Sequence, residues 1–458
     1  MDRYKIKEGA STVSLEDMLE ARERRSSIQR ELLSVWKRPL ICFTLNIPGE
    51  YKVFPLVERC FEEGKTLILR LLGKKSITYW EVRVKTGLEG YFIADGNARE
   101  IKMMLLPLEE SHPLGRLFDI DVFEPGGSAL HRTDLGQPER SCLVCGKPVW
   151  ACARSRAHAS EDLLWSAVQL LNEYFDGQIA DLLAQLAIRA LMTEVCVTPK
   201  PGLVDRADNG SHDDMNIFRF IDSSCALFGY FRNLTLFCLR YEGEYTKLLS
   251  RIRFHGLLAE DAMLVATNGV NTQKGALFTL GLLCAAAGIL YGRGEVLTED
   301  SLCELCRIIA EPVEVELTTS QQRTNGEAAF LNYGIRGVRG EAILGFPNVR
   351  SHALPVLRAL LGQGYTLDEA AVVALLHLIA HVDDTNIIAR AGLPTLRGIQ
   401  VEIGSVLERE RDVKALLAYA DELNTRFIPR RISPGGCADL LSAAIFVNSL
   451  LTISANPE

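Results

Sequence analysis

With 458 residues, the chain exceeds the length that one hydrophobic core usually serves, and about two domains are expected. Its 50 Lys and Arg against 58 Asp and Glu leave a net charge of −8, which excludes sequence-independent nucleic-acid binding as the main role but leaves room for a local basic pocket. Twelve cysteines without an export signal point to reduced thiols more than to a disulfide framework.

The N-terminal stretch MDRYKIKEGASTVSLEDMLEARERR is charged throughout and lacks the apolar centre of a secretory signal. The longest apolar run, ALFTLGLLCAAAGILYG from Ala276, falls short of the roughly 20 residues a membrane span needs. A cytoplasmic protein with no membrane role is expected.

Along the chain, SLEDMLEARERRSSIQRELLSVW from Ser14 has the acidic start and spaced apolar residues of an amphipathic helix. PLICFTLNIPG from Pro39, TLILRLL from Thr66 and SITYWEVRV from Ser76 are short, β-branched or aromatic, and bounded by Gly, Pro or Lys, so each is expected as a strand. From about Leu163 the spacing turns helical: Ile179, Leu182, Leu183, Leu186, Ala187, Ala190 and Leu191 recur at threes and fours. EAAVVALLHLIAHV from Glu369 is apolar nearly all round and suits a central buried helix. The pattern predicts an α+β domain followed by a larger all-α domain. The boundary falls within SEDLLWSAVQLLNEYFDG, giving residues 1–170 and 171–458.

In SHPLGRLFDIDVFEP, from Ser111, a strand period of two sends Phe118, Ile120 and Val122 to one face and Asp119 and Asp121 to the other. The carboxylates are then roughly 7 Å apart at Cα, close enough to hold one hard cation such as Mg²⁺ against a polyphosphate. A solvated face on an edge strand is the plainer reading. RSCLVCGKPVWACARSRAHASEDL, from Arg140, adds Arg154 and Arg156 as phosphate donors, or else as surface charges on a helix. Cys142, Cys145, Cys152 and His158 could form a structural zinc site, although the second interval is shorter than in common zinc modules and incidental cysteines are the simpler expectation.

GRLFDIDV together with RSCLVCGKPVWACARSRAH resembles the holo-citrate lyase synthase family, the apo-citrate lyase phosphoribosyl-dephospho-CoA transferases, over about residues 10 to 170. The resemblance implies a nucleotidyltransferase-like domain. Such an enzyme moves a phosphoribosyl-dephospho-CoA group onto a serine of the citrate lyase acyl carrier protein, the gamma subunit, and releases pyrophosphate. Asp119 and Asp121 would be catalytic metal ligands, Gly115 and Arg116 the adjoining turn, and Arg154 and Arg156 further phosphate contacts.

In the helical half, polar residues gather at helix ends, where free N–H groups already favour phosphate. TEVCVTPKPGLVDRADNGSHDDM, from Thr193, places Glu194 on an apolar helix face and Lys200 in a proline-stiffened loop, followed by Asp205, Asn209, His212, Asp213 and Asp214. A solvated loop is the alternative for this cluster. GVNTQKGALFTLG puts Asn271, Thr272, Lys274 and Gly275 at the start of a small-residue helix, and SPGGCADLL does likewise with Gly435, Gly436 and Asp439. Arg336, Arg339 and Arg350 alternate with glycines, as anion-binding forks or an irregular loop. In LLHLIAHVDDTN, His377 and His381 share a helix face, as a metal pair or, more commonly, as core histidines, while Asp383, Asp384 and Asn386 at its end are cation or ribose candidates. Cys303 and Cys306 are expected as packing residues.

TEVCVTPKPGLVDR, NTQKGA, RGEA, DDTN and SPGGCADLL occur in the order found in the triphosphoribosyl-dephospho-CoA synthase family, which this half resembles over about residues 178 to 455. The resemblance implies attack by the 2′-hydroxyl of 3′-dephospho-CoA on the ribose C1′ of ATP, with adenine leaving and the triphosphate retained. Such chemistry needs carboxylates to stabilise positive charge, here Glu194, Asp205 and Asp214, and a metal with cationic groups to grip the triphosphate, here Asp383, Asp384 and Asp439 with Lys200 and Lys274. Two positions depart from the family pattern: Gln273, where a histidine often precedes the lysine, and Ala391 in place of a glycine. The whole chain reads as a fused bifunctional enzyme. A malonate decarboxylase counterpart and a non-catalytic helical scaffold with a zinc-stapled module are the rivals.

Overall fold

The computed structural model describes residues 10–318 and 324–455, so the first nine residues of the charged N-terminal stretch lie outside the described residues. Two compact units are present, one up to Phe175 and one from Asp176 onward.

The first unit is α+β. Helix α1 (Leu15–Trp36) opens with a capping box in which Ser14 and Asp17 exchange hydrogen bonds, and it ends at Lys37 in a left-handed conformation. Strands β1 (Leu40–Leu45), β2 (Ser76–Val84), β3 (Gly87–Ala94), β4 (Phe118–Phe123) and β5 (Ala129–Leu130) form an antiparallel sheet in the order β2-β3-β1-β4-β5. Helices α2 (Pro55–Leu72) and α3 (Ala98–Glu110) supply the larger core on one face, where Ile41, Phe43, Phe92 and Phe118 are buried. Leu40, Cys42, Tyr91 and Ile93 point to the other face and pack with Leu33 of α1.

Thr66–Leu72, expected as a strand, is the last part of α2. The buried residues Val57, Cys60, Phe61, Gly64, Ile68 and Leu72 recur at threes and fours, a helical period that a seven-residue window hides. Gly64 lets this helix approach the sheet, because an added Cβ would overlap the Phe43 ring.

A short helix, α4 (Val149–Ser155), precedes α5 (Ser160–Cys196), whose 37 residues run without a break. Ala167, Val168, Leu171 and Phe175 belong to the core of the first unit, and residues from Leu183 on belong to that of the second.

The second unit is mostly helical. Its larger helices are α6 (Ile217–Leu239), α7 (Leu248–Ala266), α8 (Lys274–Arg293) and α9 (Glu299–Ala310). After α10 (Val313–Thr318), α11 (Asn325–Tyr333) and α12 (Gly337–Ile343) come α13 (Leu354–Gly362), α14 (Leu367–His381) and α15 (Thr385–Ala391). Helices α16 (Leu393–Arg409), α17 (Val413–Phe427) and α18 (Gly435–Ala455) complete it. Helix α14 is buried along most of its length, as its all-round apolar pattern requires.

The run from Ala276 is longer in the structure than its apolar core: α8 has 20 residues and, like α18, is long and apolar enough to cross a membrane by length and composition. Most of each helix is buried inside the helical core, which accounts for the same composition.

Candidate functional site

In the first unit, β4 lies antiparallel to β1 with Asp119 opposite Thr44 and Asp121 opposite Cys42. Phe118, Ile120 and Val122 enter the core, and both carboxylates emerge on the other face. Asp121 reaches solvent, yet desolvation by the surrounding protein and then repulsion from Asp119 raise its pKa.

A chain of alternating charge backs this strand. Lys102 Nζ lies 3.0 Å from Glu109 Oε2 and donates to the Ile120 carbonyl, while Glu109 accepts the Ile120 N–H at 3.2 Å. Arg140 pairs with Glu109 and places Nη1 3.7 Å from Asp119 Oδ1. Lys102 and Glu109 are both buried, seven residues apart on α3 and so two turns apart on one face. Sequence reasoning missed Lys102, Glu109 and Arg140; charged residues at that spacing in an otherwise apolar helix face were the available signal.

Gly115 packs against the end of α3, where an added Cβ would overlap the Leu108 carbonyl oxygen and crowd that of Glu109. Arg116 donates to the Ser141 carbonyl, and its pKa is lowered by burial and by Arg140. Arg154 and Arg156 are exposed and form no ion pair among the described residues. Cys142, Cys145, Cys152 and His158 converge: their ligand atoms all lie within 4.8 Å of one another.

In the second unit a cavity of about 750 Å³ brings together residues from most of the predicted clusters. Glu194 and Lys200 line it as a buried ion pair, Nζ to Oε1 2.5 Å, with Lys200 only 1% exposed. Desolvation raises the pKa of Glu194 against the opposing influence of Lys200. Asp439, half-buried on the cavity wall, lies against the first turn of α8 at Gly275; desolvation, then Glu194 and Asp384, raise its pKa well above the usual carboxylate range. Gly275 makes that approach possible, since an added Cβ would overlap the Asp439 carboxylate.

Asn271 accepts the Lys274 N–H at 3.2 Å, and the Lys274 side chain pairs with Glu260. Arg336 and Arg339 line the same cavity, paired with Glu314 and Glu327, the latter at 3.2 Å. Arg350 pairs instead with Asp300 and does not line it. Thr272 donates to Ser223 at 2.9 Å. Gln273, in the position that departs from the family pattern, accepts from Ser223 at 2.9 Å and Ser224 at 3.2 Å.

Asp384 is buried and fully engaged. It accepts the N–H groups of Asn386 at 2.8 Å, Ile387 at 3.2 Å and Cys437 at 2.9 Å, tying the start of α15 to the start of α18. Gly435 and Gly436 fit against this junction, because a Cβ on Gly436 would stand 3.0 Å from Asp384 Oδ2 and one on Gly435 2.7 Å from Asn386 Nδ2. Asn386, Gly435 and Gly436 line the cavity.

Other predicted residues lie elsewhere. The Asp205 carboxylate is occupied by the N–H groups of Lys200 at 3.0 Å, Ala207 at 2.6 Å and Asp208 at 3.0 Å, so it shapes the loop and does not line the cavity. Asp383 pairs with Arg397 at 2.5 Å. Asn209 and Asp214 are exposed off the cavity wall, as is Asp213, which pairs with Arg431 at 2.8 Å. His212 does line it, 2.9 Å from Ser433 Oγ, and desolvation followed by Arg390 lowers its pKa.

His381 stacks on His352 with ring centroids 3.7 Å apart, and its Nδ1 is 2.8 Å from the His377 carbonyl. Desolvation, then the neighbouring histidines, lower the His377 pKa to about 4. Cys303 and Cys306 are buried packing residues in α9, and all twelve cysteines are free.

Comparison with known proteins accounts for both units. Residues 13–174 match the family of apo-citrate lyase phosphoribosyl-dephospho-CoA transferases, and residues 180–457 match that of ATP:dephospho-CoA triphosphoribosyl transferases. Protein CitXG of Haemophilus influenzae is 35% identical over 95% of this chain and 96% of its own length. Protein CitXG of Leuconostoc mesenteroides subsp. cremoris is 32% identical over 97% of this chain and 98% of its own. A 2-(5''-triphosphoribosyl)-3'-dephosphocoenzyme-A synthase of Pectobacterium atrosepticum is 43% identical over 56% of this chain and 85% of its own. End-to-end similarity to two fused relatives, with both transferase families matched in one chain, establishes that the chain belongs to the CitXG family and is a bifunctional transferase of citrate lyase prosthetic-group biosynthesis.

Proposed function

We propose that the two reactions are divided between the units: precursor synthesis in the cavity of the helical unit, and attachment to the carrier at the Asp119–Asp121 strand. The observation that carries this reading is the cavity itself. It sets the N-termini of α8 and α18, Arg336 and Arg339 around the Glu194, Lys200 and Asp439 group.

At that cavity, the helix N-termini, Lys274 and the two arginines bind the triphosphate of ATP. The 2′-hydroxyl of 3′-dephospho-CoA forms a bond to C1′ as the C1′–N bond to adenine breaks; the hydroxyl gives up its proton and adenine gains one. Glu194 supplies negative charge beside the oxocarbenium-like centre. Asp439, whose raised pKa keeps a proton available, exchanges it with the reacting groups.

In the first unit the fold is nucleotidyltransferase-like, on the support of an antiparallel sheet carrying D-x-D on its centre-adjacent strand. A serine oxygen of the citrate lyase acyl carrier protein, the gamma subunit, bonds to the α-phosphorus as pyrophosphate leaves. Arg140 and Arg116 offset the phosphate charge. Asp119 and Asp121 suit Mg²⁺: they share a face, reach solvent, and repel each other in a way that raises Asp121, a repulsion a cation relieves. The ion would neutralise the phosphate chain. Asp383 and Asp384 suit a cation less, because Arg397 and three N–H groups already occupy them.

Both substrates of the first reaction are cytoplasmic metabolites, and the protein is placed there. Incubation with ATP, 3′-dephospho-CoA, Mg²⁺ and apo-carrier should release adenine and increase the carrier's mass by one phosphoribosyl-dephospho-CoA group. Modification of the malonate decarboxylase carrier alone would overturn the carrier assignment, and no adenine release would overturn the cavity reading.

A further inference from the structure

Residues 140–158 have little to hold them in place by packing. Val144, Val149 and Trp150 are exposed, and only Leu143 of the larger apolar side chains packs against the core of the first unit. The segment is nevertheless folded in a specific way, and its turns converge on four side chains.

Cys142 begins a tight turn: its N–H donates to the Lys147 carbonyl at 2.5 Å, and the Gly146 N–H returns to the Cys142 carbonyl at 3.1 Å. Gly146 takes φ 72°, in the left-handed region that glycine favours. Helix α4 then carries Cys152 back, with Cys145 Sγ and Cys152 Sγ 3.3 Å apart. Arg156, at φ 47°, reverses the chain after α4, and the Ala157 N–H donates to the Cys152 carbonyl at 3.1 Å. That reversal brings His158 Nε2 to 3.3 Å from Cys145 Sγ.

We propose that Cys142, Cys145, Cys152 and His158 bind one structural Zn²⁺. Three sulfurs and one imidazole nitrogen within 4.8 Å of one another match a tetrahedral site, whose ligand atoms lie about 3.8 Å apart when zinc–sulfur bonds are about 2.3 Å. The donor set is the soft one that zinc selects, and all four positions are filled by protein, as in structural sites. Loading releases three thiol protons and leaves a site of net charge −1. The bound ion supplies the cross-link that packing does not, and it fixes Arg140, whose carbonyl accepts the Val149 N–H at 2.9 Å, beside Asp119.

The test is metal analysis of the full-length chain, untagged and grown with zinc. Plasma mass spectrometry should find one zinc per chain in the native protein and in Cys303→Ser, a substitution in the other C-x2-C pair, and none in Cys145→Ser or His158→Ala. Far-UV circular dichroism and cooperative urea unfolding of the variants, with the sheet and core of the first unit as the region read, report that this unit remains folded. Cobalt substituted into the native chain should show thiolate charge-transfer and tetrahedral ligand-field bands, a readout that needs no variant. A native chain without stoichiometric zinc, zinc retained in a Cys142→Ser/Cys145→Ser variant, or an octahedral cobalt spectrum would each overturn the assignment.

Discussion

Lys200 Nζ and Glu194 Oε1 stand 2.5 Å apart where neither side chain meets bulk water. Each group makes the other tolerable there, since an ionised side chain without its partner carries a large desolvation cost. Lys200→Met should therefore destabilise the chain by about 3 kcal/mol or more, measured by urea unfolding. Adding Glu194→Gln should recover part of that loss and leave adenine release abolished. Full stability in the single variant would show that the pair does not carry charge.

The Asp439 pKa is raised, so its protonated form is the one that folding favours. Its contribution is fully present below the ordinary aspartate value of 3.8 and is lost as pH rises from there through the raised native value. Asp439→Asn removes that dependence. The variant should be at least as stable as the native chain at neutral pH, while its adenine release falls by about 10²-fold or more.

Gly275→Ala separates helix propensity from site geometry. Alanine stabilises a helix by up to about 1 kcal/mol relative to glycine, but here its Cβ would collide with the Asp439 carboxylate. Adenine release should fall about tenfold or more, with stability changed far less. An Asp439→Ala background should remove the clash, and a Gly275→Ala effect of equal size there would argue against it.

The two reactions should fail independently. Asp119→Ala should stop carrier modification and spare adenine release, whereas Lys274→Ala should impair adenine release and spare modification by supplied precursor. Mass spectrometry of the carrier and quantitation of free adenine distinguish the outcomes; joint loss in either variant would contradict separate sites.

Much of this was legible locally. The β1, β2 and β4 strands follow from short β-branched or aromatic runs, and period two placed Asp119 and Asp121 on one face before any contact was known. Polar residues at helix starts in an apolar background marked the cavity lining, from Asn271 to Gly436. Thr66–Leu72 was misread because its helical period appears only when Val57 to Gly64 are included. Roles were harder to read than positions. In sequence Asp205 reads as a catalytic acid and Asp384 as a cation ligand, and only the fold reveals that backbone N–H groups occupy their oxygens. Arg140, 21 residues beyond Asp119, meets it through tertiary structure that no local pattern encodes.

The unbroken helix α5 bears on any attempt to dissect the enzyme. A cut after residue 170, where the sequence pattern invites one, would strip Leu171 and Phe175 from the fragment whose interior they fill. A cut after Phe175 would spare that interior but give the other fragment a ragged helical start at Asp176. Separate production of the halves is best served by duplicating the shared turns in both pieces.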